Sequence, residues 1–266
     1  MALKLIKHEI KSTWLEITIV CIAILFFSVM FSFIIKGGLF TNVFASLSIM
    51  ALGMLYVAAF ALIIINVIRS INKKIFSNEG YLTLTLPVSI DQLIIAKVVV
   101  NFIWIIVTFL TYFLSFLIIG STIVGERTIM SIFSVVYEHP LHILLFTIAA
   151  ALESVVFILT LVLVLSVLNT GTIKKYKLLV GVVFYYLIMN VLSWAKTIIR
   201  IIPYILVEGN NGFEIVKTDF SVNNPFGALI VNYVGLDFNG VLFNLIAIVG
   251  FYFLSRYIIK TKIELE

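Results

Sequence analysis

The chain has 266 residues, of which 62% are hydrophobic and only 12% are charged, and its mean hydropathy is +1.21. Soluble domains average about half apolar and a quarter charged residues, so this composition excludes a soluble protein and predicts an integral membrane protein. The formal net charge is +5, but the basic residues are scattered between apolar runs instead of forming a sustained patch, which argues against nucleic-acid binding.

The first 14 residues predict an amphipathic helix that lies in the membrane surface. Their apolar residues at helical spacing are Leu3, Ile6, Ile10 and Trp14, and lysines occupy a neighbouring face. The apolar run that follows is longer than the core of a signal peptide, and no small-residue cleavage site comes after it. We therefore interpret this run as the first transmembrane helix.

Five further apolar runs have the roughly 20 residues that a helix needs to cross the hydrocarbon layer. The predicted spans are about 15–35, 46–68, 98–124, 141–168, 178–200 and 241–259. The predicted fold class is therefore an all-α membrane protein, with residues 1–266 forming a single transmembrane domain. Six crossings place both termini on the same side of the membrane.

The placement of lysine and arginine predicts which side that is. Thirteen of the 18 basic residues lie in the N-terminal segment, the 69–97 connection, the connection before the fifth span and the C-terminal end. The other five fall on the opposite side. By the positive-inside rule, both termini and the 69–97 connection face the cytoplasm of a plasma-membrane protein.

The connections on the outer side predict short helices. In the 201–240 connection, turn signals at 209–212 and 223–225 flank the apolar segment Phe226 to Val234, which is too short to span. We expect this segment to form a re-entrant or interfacial helix. The 125–140 connection carries apolar residues at helical spacing and predicts another surface helix.

Motifs for catalysis are missing from the sequence. It contains no Gly-Lys-Ser/Thr phosphate loop, so we do not expect the chain to hydrolyse ATP itself, and it has no HExxH or Gly-x-Ser-x-Gly motif. Its one cysteine, Cys21, excludes an intrachain disulfide. Glu138, His139 and His142 are the only weak metal candidates, and Pro140 disrupts their helical face. We expect a non-enzymatic chain without a bound metal or cofactor.

Glu153 lies well inside the fourth apolar run, where an ionisable group costs at least about 2.5 kcal/mol. Such a residue usually faces water or protein. It either lines a transport path or pairs with a neighbouring helix through a residue such as Asn66, Asn101 or Asn190, and both readings stay open.

Lys196 and Arg200 are four residues apart near the outer end of the fifth span. They could attract an anionic substrate or lipid headgroups, although snorkelling to the outer interface is the simpler account. Together with Glu153 they are candidate residues of a substrate path.

The 69–97 connection is the longest water-facing segment between two spans. It breaks at Asn78-Glu79-Gly80 and again at Pro87, and then a helix begins with Ser89 and Gln92 at capping-box spacing. Two breaks and a capped helix start predict a shaped surface for contact with another protein.

The sequence of this connection resembles that of ABC type-2 transporter permeases. The resemblance lies in Glu79-Gly80-Tyr81-Leu82-Thr83-Leu84-Thr85-Leu86-Pro87-Val88-Ser89, followed by Leu93 and Lys97. The resemblance is greatest to small six-helix exporters of Gram-positive bacteria. It implies a coupling helix that contacts a separate ATPase subunit, and re-entrant helices before the last span. The residues that we place at this contact are Glu79, Tyr81, Leu84, Pro87 and Ser89.

The sequence and the resemblance together predict the transmembrane permease subunit of an ATP-driven exporter. ATP and Mg would bind to the partner ATPase, and a second copy or a related permease would complete a dimer within the lipid. The expected cargo is an amphipathic peptide, antimicrobial or cytolytic, or a hydrophobic drug. The alternative is a secondary transporter without an ATPase, or a stand-alone membrane immunity protein.

Overall fold

A computed structural model describes residues 2–37, 42–75, 89–123, 140–169, 176–199, 204–209, 212–217 and 236–263, together with Gly125, Met130, Phe133 and Tyr137. Within this part of the chain, six helices are long and apolar enough to cross a membrane. They are α1 (Ala2–Gly37), α2 (Asn42–Ile75), α3 (Ile90–Ile123), α4 (Pro140–Leu168), α5 (Lys177–Ile198) and α6 (Phe238–Ile263). The prediction of a helical fold with six membrane-length helices is confirmed.

Several helices extend beyond the predicted spans. The α2 helix continues to Ile75, so the beginning of the predicted 69–97 connection is helical. The α3 helix begins at Ile90, where the sequence predicts a helix start after Ser89. The residues from 76 to 88 lie outside the described part. The α1 helix has no break near residue 15, so a separate surface helix over residues 1–14 is not confirmed.

The chain divides into two compact units, and the first comprises Met1–Pro140 with Ile259–Glu266. In this unit α1 packs against both α2 and α3. Its α1 and α3 helices run parallel, with a buried core of Ile17, Cys21, Val100 and Trp104 between them. Ile6 and Ile10, from the predicted surface helix, also pack against this core, so apolar burial joins the beginning of α1 to α3.

Small polar side chains line the α1–α3 contact toward the C-terminal ends of both helices. The hydroxyls of Ser28 and Ser115 hydrogen-bond to each other, and Ser32 Oγ donates to the Ile118 carbonyl at 3.2 Å. Small residues let membrane helices approach closely, and their hydroxyls add contacts that apolar side chains do not supply. These bonds extend the α1–α3 contact along most of both helices.

The second unit, Leu141–Ile258, contains nearly all of α4, the whole of α5 and most of α6. The α4 and α5 helices meet at Gly181, where an added Cβ would lie 2.7 Å from Leu168 Cδ1. The Phe157 and Tyr185 rings pack edge to face with centroids 6.1 Å apart. Gly181 therefore leaves the space that the Leu168 side chain fills between the two helices.

A small antiparallel sheet follows α5, in the connection where only helices were predicted. Strand β1 (Tyr204–Gly209) pairs with β2 (Gly212–Lys217), with Gly209 opposite Gly212. The short strand β3 (Leu236–Asp237) pairs with the other edge of β1, giving the order β2-β1-β3. The predicted re-entrant helix at Phe226 to Val234 lies outside the described residues, so this finer prediction is not confirmed.

Few residues are described in the 125–140 connection. Met130, Phe133 and Tyr137 adopt helical conformation, and their side chains are exposed. Most other residues of the predicted surface helix lie outside the described part.

Candidate functional site

Most of the predicted ATPase-contact residues fall in the undescribed segment between α2 and α3. They are Glu79, Tyr81, Leu84 and Pro87. Ser89 is described, and its Oγ accepts a hydrogen bond from the Gln92 backbone N–H at 3.3 Å. This bond satisfies one of the amide groups that have no partner within the helix at its start. Ser89 is therefore the exposed N-cap of α3, where it fixes how the chain enters the helix.

A buried polar cluster, Glu9, Ser70 and Lys97, joins the three helices at the end where α2 stops and α3 begins. We call it the base cluster. Lys97 Nζ donates to Ser70 Oγ at 2.7 Å and lies 3.4 Å from Glu9 Oε1, and Ser70 Oγ donates to the same Glu9 oxygen. The side chains of Lys97 and Glu9 are only 4% and 8% exposed. The opposite charges and the shared hydroxyl compensate for the loss of water around each group.

Two further polar contacts surround the base cluster. Arg69 Nη1 on α2 lies 2.6 Å from Glu16 Oε1 on α1, and both side chains are about half exposed. Trp104 Nε1 on α3 donates to Thr13 Oγ1 on α1 at 2.9 Å. The predicted cytoplasmic ends of α1, α2 and α3 are therefore held together by both buried and exposed contacts.

The sequence does not predict the base cluster. It places Lys97 on the helix that begins after Ser89, but it gives no sign that this side chain is buried against Glu9 and Ser70. The available signal is Glu9 itself, since an acid that lies one turn after Ile6 and directly before Ile10 is near the apolar face of the helix. That position required a partner on a neighbouring helix, which Lys97 and Ser70 supply.

A second polar cluster, Glu153, Lys196 and Asn244, lies in the second unit, and we call it the acceptor cluster. Lys196 Nζ donates to Glu153 Oε1 at 2.8 Å, and Asn244 Nδ2 donates to the same oxygen at 2.9 Å. These residues come from α4, α5 and α6. The acceptor cluster therefore joins all three helices through one carboxylate oxygen.

Asn239 fixes the position of Lys196 in the acceptor cluster. Its Nδ2 donates to the Lys196 carbonyl at 2.8 Å and to the Ile199 carbonyl at 3.2 Å. Carbonyls in the last turn of a helix have no partner within the helix, so a side chain from α6 completes the end of α5. This cap holds the last turn of α5 against the beginning of α6.

The structure decides part of what the sequence left open for this region. Glu153 does pair with neighbouring helices, but through Lys196 and Asn244 rather than through any of the three asparagines considered. Lys196 turns toward Glu153, and its side chain is 19% exposed. Its snorkelling to the outer interface stays a prediction. Arg200 lies outside the described residues. Asn244 was overlooked, although a polar side chain inside a predicted span was signal enough.

An aromatic cleft in the first unit is a further candidate for contact with apolar molecules. Its volume is about 450 Å³, within the usual range of ligand pockets, and it is lined by Tyr56, Phe109, Tyr112, Phe113 and Phe116. Tyr112 Oη donates to the Tyr56 carbonyl at 2.6 Å, and the Tyr56 hydroxyl bonds to Ser115 Oγ. Both phenol groups therefore have protein partners, and the cleft offers mainly ring surface.

No group of three or more His, Cys, Asp or Glu side chains suited to a metal occurs among the described residues. Glu138 and His139 are not described.

Comparison of the chain with known protein families, with curated proteins and with solved structures finds no match.

Proposed function

We propose that the chain is the transmembrane permease subunit of an ATP-driven exporter of the ABC type-2 class. In this proposal both termini and the 76–88 segment face the cytoplasm. A separate ATPase subunit binds ATP and Mg, and the cargo is an amphipathic peptide or a hydrophobic drug.

The base cluster is the observation that carries this proposal. It ties α1 to α2 and α3, the two helices that flank the segment proposed to contact the ATPase. A force applied to that segment therefore reaches three helices together. A segment flanked by helices that are joined to each other can pass the movement of an ATPase to those helices better than a flexible linker can.

The other two sites support the choice of cargo. The aromatic cleft gives an apolar group a surface without unpaired polar atoms in its described lining. The acceptor cluster adds a charged group inside the second unit. A chain with both features suits a molecule that is part apolar and part polar.

The acceptor cluster also supports a second permease copy. The Glu153 side chain is 52% exposed in the single chain, although it belongs to a membrane-length helix. A charged group at this depth needs cover from protein or from water. Two copies that enclose a watered path would provide that environment.

The test is co-purification and ATPase activity. The tagged chain is expressed with the nucleotide-binding subunits encoded in its genome, and the bound ATPase is identified and measured in nanodiscs. We expect the combined Tyr81→Ala and Leu84→Ala change to weaken ATPase association. Tyr137→Ala is the control, because Tyr137 is an exposed tyrosine on the opposite predicted side.

One observation favours a second candidate, secondary transport without an ATPase. Each unit contains an ionised pair between helices, Glu9 with Lys97 and Glu153 with Lys196. Ion-coupled transporters use such intramembrane groups. Transport by the purified chain alone, driven by an ion gradient in proteoliposomes, would establish this candidate and reject the ATP-driven proposal.

A further inference from the structure

The acceptor cluster has unused hydrogen-bond acceptors. Both donors to Glu153 converge on Oε1, and Oε2 has no partner within the described part of the chain. Asn244 is 2% exposed, and its Oδ1 is also without a partner among the described residues. A buried carbonyl oxygen without a donor is costly, so a molecule that donates hydrogen bonds, water included, would stabilise this site.

The orientation of the Asn244 amide follows from its neighbour. An ionised carboxylate only accepts hydrogen bonds, so the amide nitrogen has to face Glu153. The flipped amide would place two acceptor oxygens together. The unpaired Oδ1 is therefore fixed by the chemistry of the cluster.

Lys196 makes an anionic ligand a poor fit. Its ammonium group is already paired with Glu153 at 2.8 Å, and only 19% of its side chain is exposed. The Glu153 side chain, by contrast, is 52% exposed. A ligand that approaches the cluster meets the carboxylate more readily than it meets the ammonium.

From these contacts we infer that the acceptor cluster binds a primary ammonium or guanidinium group of the cargo, in place of the Lys196 ammonium. The exchange keeps the charge balanced, because one cation leaves Glu153 as another arrives. Lys196 is in the last turn of α5, from which its long side chain can extend toward the outer interface. Lys196 thus occupies the site until a cationic cargo replaces it. This inference rests on the proposed export function, for which it specifies the chemistry of the cargo.

Binding of three probes with the same chain length tests the charge preference. Octylammonium, octanol and octyl sulfate are titrated by calorimetry into the purified chain in nanodiscs, without an ATPase. We expect octylammonium to bind most tightly. A charge-assisted hydrogen bond is worth enough that Glu153→Gln should weaken octylammonium binding at least about tenfold.

The Lys196→Gln variant tests whether the ligand replaces the Lys196 ammonium at Glu153 or whether the Glu153–Lys196 ion pair stays in place when the ligand binds. If Lys196 competes with the ligand, its removal should tighten octylammonium binding by about tenfold. Glu16→Gln is the matched control, since Glu16 also belongs to an ion pair of similar length and is about as exposed as Glu153, but lies in the other unit. We expect it to leave binding unchanged. Asn244→Ala, which keeps the Glu153–Lys196 pair, should weaken binding about threefold and provides the test if Glu153→Gln does not fold.

A lysine-rich amphipathic peptide and its glutamine counterpart identify the source of the cationic group. Selective binding of the lysine peptide supports a peptide cargo, and binding of octylammonium alone supports a small amine. Unchanged octylammonium affinity in Glu153→Gln, or octyl sulfate binding that Lys196→Gln abolishes, would overturn the inference. A chain that binds amines but recruits no ATPase would retain this site and reject the export function.

Discussion

Removing one charge from the base cluster should strongly destabilise the first unit. In Glu9→Gln the Lys97 ammonium keeps its bonds to Ser70 but loses the carboxylate charge of Glu9, while its side chain remains 96% buried. Removal of one partner from a buried ion pair typically costs about 3–5 kcal/mol, because the remaining charge is uncompensated. Since Ser70 still accepts from Lys97, we expect a loss of about 3 kcal/mol.

The exposed pair between Arg69 and Glu16 provides the comparison. It joins α1 to α2 as the base cluster does, but its side chains are 51% and 42% exposed. Exposed ion pairs contribute about 0.2–1 kcal/mol, so Glu16→Gln should cost less than about 1 kcal/mol. The two substitutions are chemically identical and differ mainly in burial.

The assay is the free energy of unfolding in mixed micelles, with helicity and tryptophan fluorescence as separate probes. The double variant Glu9→Gln with Lys97→Met removes both charges and should recover most of the lost stability, because neither buried charge remains uncompensated. Equal costs for Glu9→Gln and Glu16→Gln would refute this reasoning. A double variant that is less stable than either single variant would refute it as well.

Three other substitutions test the local contacts. Ser89→Ala should lower stability by about 1 kcal/mol through loss of the α3 cap, measured by the same unfolding assay. Gly181→Val should cost about 1–3 kcal/mol by overpacking the α4–α5 crossing, whereas Gly53→Val, with nothing within 4 Å of an added Cβ, should show no comparable loss. Asn239→Ala should cost about 1–3 kcal/mol by exposing carbonyls at the end of α5, and hydrogen exchange should increase near Lys196.

The helical spans were predictable because hydrophobicity over 20 residues is a strong local signal. Their ends were less predictable. The sequence places Arg69 in a water-facing connection, but Arg69 lies within α2 and pairs with Glu16 on α1. It places Lys97 on a helix but does not predict that its side chain is buried beside Glu9. Tertiary contacts of this kind have no counterpart in local hydropathy.

The small sheet after α5 was not predicted from the sequence, for a different reason. Its strands contain β-branched and aromatic residues, but the segment follows an apolar span and was interpreted by its hydrophobicity. The Gly209-Asn210-Asn211-Gly212 sequence was recognised as a turn without being connected to strands on both sides. A hairpin prediction would have required the pattern on each side of this turn to be considered together.

Glu153 was identified correctly as unusual, because an acid in a span is conspicuous. Its partners could not be identified, since Lys196 and Asn244 are 43 and 91 residues away along the chain. Only the packing of α4, α5 and α6 brings them together. Sequence therefore indicated that this residue needed a partner, and the structure supplies which one.

The length of the first three helices has a mechanical consequence. They contain 36, 34 and 34 residues, so at 1.5 Å per residue each is about 50 Å long, against a hydrocarbon layer of about 30 Å. The base cluster joins all three near one end, and α1 contacts α3 along most of its length, so we expect the three helices to move together. A tilt of about 10° would swing one tip by roughly 9 Å relative to the other. A modest push at one membrane surface can therefore become a displacement of molecular size at the opposite surface.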